Sequence, residues 1–319
     1  MELAPGIHRV EASLGDRFVA LYLLEGEESS LLFDTGLDGS ITEALLPYLS
    51  SSGRDPASID WVVISHADFD HFGGNRSLQE IAPRARLACH ELDRSMVEDV
   101  ERLIEDRYGE FAVEHAIADS AEAKDFARQS TRTVPMHVSL SGGEQFRLGG
   151  SRRIEVLHTP GHSRGHLSLW DASNRALLVS DAILWSTLST RDGKRAFPPT
   201  YRYVDPYLAT IERARDRHPD FLLTAHFPVL TGGEIDEFLD ESKAFSERLD
   251  AALRKELTSS SAPVPTRELV LTIAPRVGDW SEAAQLLLVY PLLGHLERLE
   301  RYRLVKRQLH NGLARWAST

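Results

Sequence analysis

Four side chains of the types that bind metal ions lie close together in the sequence. The segment SHADFDHFGG, residues 65–74, contains His66, Asp68, Asp70 and His71. Burying such side chains unpaired would cost free energy, so their clustering after an apolar run indicates a bound ion. The paired glycines that end the segment allow the chain to turn tightly around the cluster. The segment therefore predicts a metal site.

Three further segments offer one candidate ligand each. His162 lies in TPGHSRGH, residues 159–166, Asp181 in SDA, residues 180–182, and His226 in TAHF, residues 224–227. Each of them follows a predicted strand. Because a set of strands can direct its ends to one edge of a sheet, we expect these side chains to join the first cluster at a single site.

The elements that must position these ligands are strands alternating with helices. The run DWVVIS, residues 60–65, is nearly all apolar, which is typical of a strand buried on both faces. Residues 91–128 are charged and helical in pattern, and we interpret them as an insertion that lies over the site. Strands are predicted over residues 7–13, 18–24, 30–33, 152–157, 167–170, 176–179 and 220–224, and helices over residues 40–50, 206–217 and 233–257.

The C-terminal part differs in composition. Residues 258–265, TSSSAPVP, have the composition of a linker. Helices are predicted over residues 266–274 and 281–301, followed by two short strands, 302–307 and 312–316, that could form a wing. The sequence therefore predicts an α/β domain over residues 1–257 that carries the metal site, with 91–128 as its insertion, and a small helical domain over residues 258–319.

In the order and spacing of these motifs, residues 1–257 resemble the metallo-β-lactamase superfamily. The family pattern is His-x-His-x-Asp-His, then a Thr-Pro-Gly-His turn, an Asp and a His. The resemblance implies a four-layer αββα sandwich with two metal ions at one edge. It also implies that one ion is bound by His66, the residue at position 68 and His162, and the other by Asp70, His71 and His226. Asp181 would bridge the two ions. Asp34, in FDTG, would accept a hydrogen bond from a ligand histidine.

Position 68 departs from the family pattern, because most members have His there and this chain has Asp68. As a ligand, Asp68 would add negative charge, raise the pKa of a bridging water and favour iron or manganese more than an all-imidazole site does. Zinc is still our first choice, with iron or manganese as alternatives. Asp68 could instead accept a hydrogen bond and leave the first site without an ion.

The chemistry implied by the resemblance is hydrolysis of a small ester, lactone, thioester or related bond by a hydroxide that bridges two ions. In that mechanism Asp70 and Asp181 take up protons as well as bind metal. The alternatives are an iron-dependent oxidoreductase on the same scaffold, a nuclease, and a metal-bearing binding protein whose tail recruits a partner. Residues 294–316 resemble a winged-helix tail found on some hydrolases of this family. For this tail we favour a role in packing or homodimer formation over DNA binding.

Composition limits the partners. The net charge of −12 disfavours nucleic acid and anionic membranes as bulk partners, so we expect a small-molecule substrate. The single cysteine, Cys89, cannot form an internal disulfide, and the N-terminus lacks the pattern of a signal peptide, so a cytoplasmic location is expected. Further pocket candidates are Arg164, as an anion-binding or surface residue, and Trp185, Phe197, Tyr201 and Tyr203, as pocket-lining or loop-packing residues.

Overall fold

The computed structural model describes residues 1–319, and its first sheet has seven strands in sequence order. The four N-terminal strands pair antiparallel, whereas the later ones pair parallel. The strands are β1 (Glu2–Ala4), β2 (Ile7–Leu14), β3 (Arg17–Glu25), β4 (Ser30–Phe33), β5 (Trp61–Val63), β6 (Arg86–His90) and β7 (Val138–Leu140).

The second sheet has six strands in the order β15 (Leu230–Thr231), β14 (Phe221–Thr224), β11 (Ala176–Ser180), β10 (Leu167–Asp171), β9 (Arg152–His158) and β8 (Gln145–Gly149). Its strands pair antiparallel except β11 and β14, which run parallel because a helix connects them. A separate hairpin joins β12 (Leu188–Ser189) to β13 (Arg195–Phe197).

Successive side chains of a strand point to opposite faces of the sheet, and this alternation produces the layers of the fold. Leu31 and Phe33 point into the core between the sheets, whereas Leu32 packs against the outer helices. The run 60–65 behaves as predicted, because Val62 faces the helices and Val63 faces the second sheet. Helices therefore cover both sheets, and the predicted four-layer αββα architecture is confirmed.

The helices lie mostly on the outer faces of the sheets. Short π-helical turns continue two of them, over Ile41–Leu45 and Ile104–Tyr108. The helices are α1 (Asp38–Ser40), α2 (Leu46–Ser51), α3 (Phe69–Phe72), α4 (Asn75–Ile81), α5 (Arg94–Glu98), α6 (Val100–Leu103), α7 (Ala112–His115), α8 (Ala121–Gln129), α9 (Val204–Asp216), α10 (Gly233–Ser259), α11 (Thr266–Val277), α12 (Glu282–Gln285) and α13 (Val289–Arg301). No helix combines the length with the apolar composition that a membrane span requires.

The C-terminal segment packs its helices against α9 and α10, within the apolar cluster that covers one face of the second sheet. Trp316 is fully buried and belongs to the same apolar cluster as Tyr207 of α9 and Phe245 of α10. The predicted hairpin is present as β17 (Val305–His310) and β18 (Leu313–Ser318), with β16 (Val264–Pro265) added alongside β18. The first strand starts three residues later than predicted, because a turn follows α13. A domain boundary at residue 258 stays a prediction, since the apolar core is continuous across it.

Candidate metal centre

The candidate ligands follow strands that end at one edge of the sandwich. Asp68, Asp70 and His71 lie at the start of α3, just after β5, and Asp181 directly follows β11. The structure brings all seven candidates together in overlapping groups whose ligand atoms lie within 4.8 Å of one another. These groups are His66 with His71 and Asp181; His66 with Asp68 and His162; and Asp70 with His71 and His226.

Hydrogen bonds orient three of the candidate histidines. His71 contacts Asp34 Oδ2 through Nδ1 at 2.9 Å, and His226 contacts the Phe18 carbonyl oxygen through Nδ1 at 2.8 Å. His66 contacts the Ser65 hydroxyl through Nδ1 at 2.9 Å. A ring that donates from Nδ1 keeps a lone pair on Nε2. These contacts therefore favour the tautomer that can bind a metal through Nε2.

Asp34 acts as the common acceptor behind the cluster. Its carboxylate accepts hydrogen bonds from the Ser65 backbone N–H at 2.7 Å, the Ser65 hydroxyl at 2.8 Å and the Ser180 hydroxyl at 3.0 Å, in addition to the one from His71. The residue is buried and has a left-handed backbone with φ 65°. The sequence-based expectation that Asp34 supports a ligand histidine agrees with this geometry.

One part of the cluster has the donor chemistry that a divalent cation requires. His71 Nε2 and Asp181 Oδ1 are buried and have no hydrogen-bond partner. His226 Nε2 lies 3.3 Å from Asp181 Oδ2 and 3.5 Å from Asp70 Oδ2, and His71 Nε2 lies 3.8 Å from Asp181 Oδ2. Imidazole nitrogens and carboxylate oxygens that converge in this way fit a transition-metal ion. These residues would hold it.

The electrostatics of the cluster favour an added positive charge. Burial alone would lower the pKa of His71, but Asp70, Asp34 and Asp181 together raise it to about 10. The pKa of His226 is raised against the effect of burial by Asp181 and Asp70. The carboxylates thus stabilise a cation at these rings, whether a proton or a metal ion.

Asp68 lies beside His66 and His162, as expected, but it is also paired with an arginine. Arg107 contacts both carboxylate oxygens of Asp68, with its Nη2 2.7 Å from Oδ2. Burial would raise the pKa of the Asp68 carboxyl, yet the Arg107 guanidinium and the neighbouring histidines hold it well below its usual range. Sequence reasoning missed Arg107, because the expected helical insertion that carries it has no motif that indicates which side chain points inward.

A cavity of about 390 Å³ opens beside the candidate ligands. Residues of the expected insertion line it, and the C-terminal segment contributes Leu287 and Tyr290, which were not expected there. Of the predicted lining residues, only Phe197 borders this cavity. The remaining contributors include Arg17, Asp68, Phe69, Asp70, Arg107, Tyr108, Asp119 and Lys124.

The other pocket candidates have structural contacts. Tyr201 is fully buried and stacks on Tyr207, and Trp185 packs against Phe238. Arg164 is exposed and donates a hydrogen bond to the Tyr203 hydroxyl at 2.9 Å. None of these residues borders the cavity; Trp185, Tyr201 and Tyr203 agree with the packing alternative, and Arg164 agrees with the surface alternative. His166 stacks on the His66 ring with centroids 4.9 Å apart.

Known proteins share both the motifs and the fold. The family description of the metallo-beta-lactamase superfamily matches residues 14–226, well over half of the chain. The chain is 28% identical over 211 residues to the acyl-coenzyme A thioesterase MBLAC2 of Bos taurus, covering 60% of this chain and 66% of that one. It is 24% identical over 243 residues to the beta-lactamase-like protein 2 homolog of Caenorhabditis elegans, covering 75% of this chain and 67% of that one.

The matched regions therefore span about two thirds of the length of these relatives. Among solved structures, a metallo-beta-lactamase family protein from Thermus thermophilus superposes with a TM-score of 0.74 at 22% identity, and the match covers 99% of each chain. That likeness shows the fold, and the family match rests on the segment that contains all seven candidate ligands. The chain belongs to the metallo-beta-lactamase superfamily.

Proposed function

We propose that this protein is a metal-dependent hydrolase that cleaves a small ester or thioester. The observation that carries the proposal is the pair of orphaned buried atoms, His71 Nε2 and Asp181 Oδ1, at the convergence of two imidazoles and two carboxylates. A divalent ion bound there would lower the pKa of water and polarise a substrate carbonyl. Lactones and related acyl compounds belong to the same substrate class.

The chain's own residues orient the ligand histidines and transfer protons. Asp34 fixes the orientation of the His71 ring, and the Phe18 carbonyl does the same for His226. Asp70 borders the cavity, so its carboxylate can accept a proton from a nucleophilic water and return it to the leaving group. Asp181 is almost fully buried between His71 and His226 and is proposed to take part in the same transfers.

The substrate class is supported by the cavity and by the relatives. The cavity combines apolar lining, such as Phe69 and Tyr290, with the cations Arg17 and Lys124, an arrangement suited to an acyl group that carries an anionic portion. The bovine relative is named an acyl-coenzyme A thioesterase. We therefore place thioesters first among the substrates to be tried.

The identity and number of the ions belong to the same proposal. Zinc suits the imidazoles, whereas the carboxylates also admit iron or manganese. The family resemblance implies two ions. One would use Asp70, His71, Asp181 and His226, whereas a second would need His66, Asp68 and His162, and the number stays a prediction that elemental analysis can count.

The test is turnover of a panel of S-acyl thioesters, esters and lactones by protein loaded with zinc, iron or manganese. We expect hydrolysis of at least one thioester, loss of that activity with a chelator, and recovery when metal is restored. His218→Ala, which changes a histidine outside the cluster, serves as the control and should leave the rates unchanged. Absence of bound metal after loading, or turnover that survives its removal, would contradict the proposal.

A further inference from the structure

Arg107 reaches the ligand cluster from the helical insertion. It lies on the π-helical turn Ile104–Tyr108, and its side chain is only 9% exposed. Arg102, one turn earlier in the same insertion, is instead 60% exposed and pairs only with Asp106. The burial of Arg107 is thus specific to this side chain and not a property of the whole insertion.

The guanidinium of Arg107 contacts the same atoms that a first metal ion would use. Nη2 lies 2.7 Å from Asp68 Oδ2 and 2.9 Å from His162 Nε2. Nε contacts Asp68 Oδ1, and Nη1 donates to the His162 carbonyl oxygen at 3.3 Å. The fork of the guanidinium therefore binds the carboxylate of Asp68 through both oxygens and also reaches the imidazole and backbone of His162.

These contacts compete directly with a metal ion. Zinc would lie about 2.0–2.2 Å from the same Oδ2 and Nε2 atoms. A guanidinium nitrogen within hydrogen-bond distance of both atoms occupies the approach to that position, and its positive charge repels a dication there. Arg107 also neutralises the extra negative charge that Asp68 brings to the cluster.

Neighbouring side chains contact both members of the Arg107–Asp68 pair. The Tyr108 hydroxyl donates a hydrogen bond to Asp68 Oδ1 at 3.3 Å. The Tyr290 ring of α13 lies 5.8 Å from the guanidinium carbon, within the range of a cation–π contact. The insertion and the C-terminal segment thus both contribute to the position of Arg107.

We propose that the Arg107 guanidinium takes the place of the first metal ion, so that the protein binds one ion instead of two. This inference rests on the proposed metal centre, in which Asp70, His71, Asp181 and His226 hold the remaining ion. Asp68 then acts as the counter-charge of an internal cation and not as a metal ligand. His66 and His162 become supporting residues of a mononuclear site.

The experiment counts ions by isothermal titration of metal-free protein with zinc and by native mass spectrometry of the zinc-loaded protein. We expect one ion for the wild type and two for Arg107→Ala or Arg107→Met, which free Asp68 Oδ2 and His162 Nε2. Arg102→Ala is the matched control and should keep one ion. Cobalt substitution adds a spectroscopic readout, since two adjacent cobalt ions are magnetically coupled and one is not.

Two tightly bound ions in the wild type would overturn the proposal, even if neither variant folds. A single ion in both folded Arg107 variants would also overturn it, because some other feature would then exclude the second ion. Binding of no metal by the wild type would instead overturn the proposed metal centre itself, and this inference with it.

Discussion

Replacing Asp34 by Asn tests whether the acceptor behind the cluster controls metal binding. The two side chains have nearly the same shape, and Asn tolerates the left-handed backbone found at this position. The change therefore alters hydrogen bonding with little steric effect. Oδ2 of Asp34 accepts from His71, Ser65 and Ser180, whereas the amide NH₂ that replaces it can accept from none of them.

The expected losses of stability and metal affinity follow from these contacts. Hydrogen bonds to charged groups contribute about 1.5–3 kcal/mol each. The hydroxyls of Ser65 and Ser180 can rotate towards other acceptors, so the main loss is the bond from His71, and we expect the free energy of unfolding to fall by about 2 kcal/mol. The asparagine NH₂ also favours the His71 tautomer that accepts at Nδ1 and carries its proton on Nε2. Loss of such a supporting partner lowers metal affinity by about 10–100-fold.

The assay is competition for zinc with a chromophoric chelator, together with urea denaturation of the metal-free protein. Asp171→Asn is the matched control, because Asp171 is also fully buried and accepts hydrogen bonds from Arg152 and Asn174, yet it lies outside the ligand cluster. We expect both variants to lose stability but only Asp34→Asn to lose metal affinity. Unchanged affinity in Asp34→Asn, or an equal loss in the control, would refute the reasoning.

Three further changes have defined outcomes. His71→Ala should abolish hydrolysis and metal binding with an unchanged far-ultraviolet circular dichroism spectrum, because the ligand lies at an edge of the fold; a variant that keeps its activity would place the active site elsewhere. Arg202→Met removes a buried guanidinium that bonds to Glu110 of the insertion at 2.9 Å and to Glu297 of α13 at 2.7 Å. We expect this change to lower the free energy of unfolding by about 1–3 kcal/mol, because the two carboxylates left without a partner are partly hydrated. Limited proteolysis of the insertion should become faster, and an unchanged rate would argue against this link. Burial lowers the pKa of His295 below its ordinary value of 6.5, so the unfolded chain binds a proton at this residue more readily than the folded protein does. The free energy of unfolding should therefore decrease as the pH falls below about 6.5. Urea titrations across this range should show a weaker dependence for His295→Gln than for the wild type.

Local patterns predicted the α/β class and the side chains that gather at one edge, whereas the family resemblance supplied the four-layer architecture. The apolar run before His66 indicated a strand buried on both faces, and the candidate ligands at 162, 181 and 226 each followed another predicted strand. Strand ends meet at a sheet edge, so a list of ligands in sequence order already implied a convergent site. Alternation and ligand type are properties of short segments, which is why they can be predicted before the tertiary structure is known.

The state of Asp68 could not be predicted in the same way. From the sequence, Asp68 could bind a metal or accept a hydrogen bond, and both alternatives were chemically sound. The structure supplies Arg107, which lies 39 residues further along the chain, and the side chain of Tyr290 beside it. Their meeting depends on how the insertion and the C-terminal segment pack, and no short pattern encodes that packing.

The positions of the aromatic side chains after Asp181 also depended on the tertiary structure. Composition alone could not separate Phe197, which borders the cavity, from Tyr201, which is buried against Tyr207. The sequence by itself determined the strand pattern, the ligand types and their order, because these follow from local periodicity and side-chain chemistry. Only the tertiary structure decided which charges and rings surround the ligands, because such contacts join distant segments whose packing minimises unpaired charge and exposed apolar surface together.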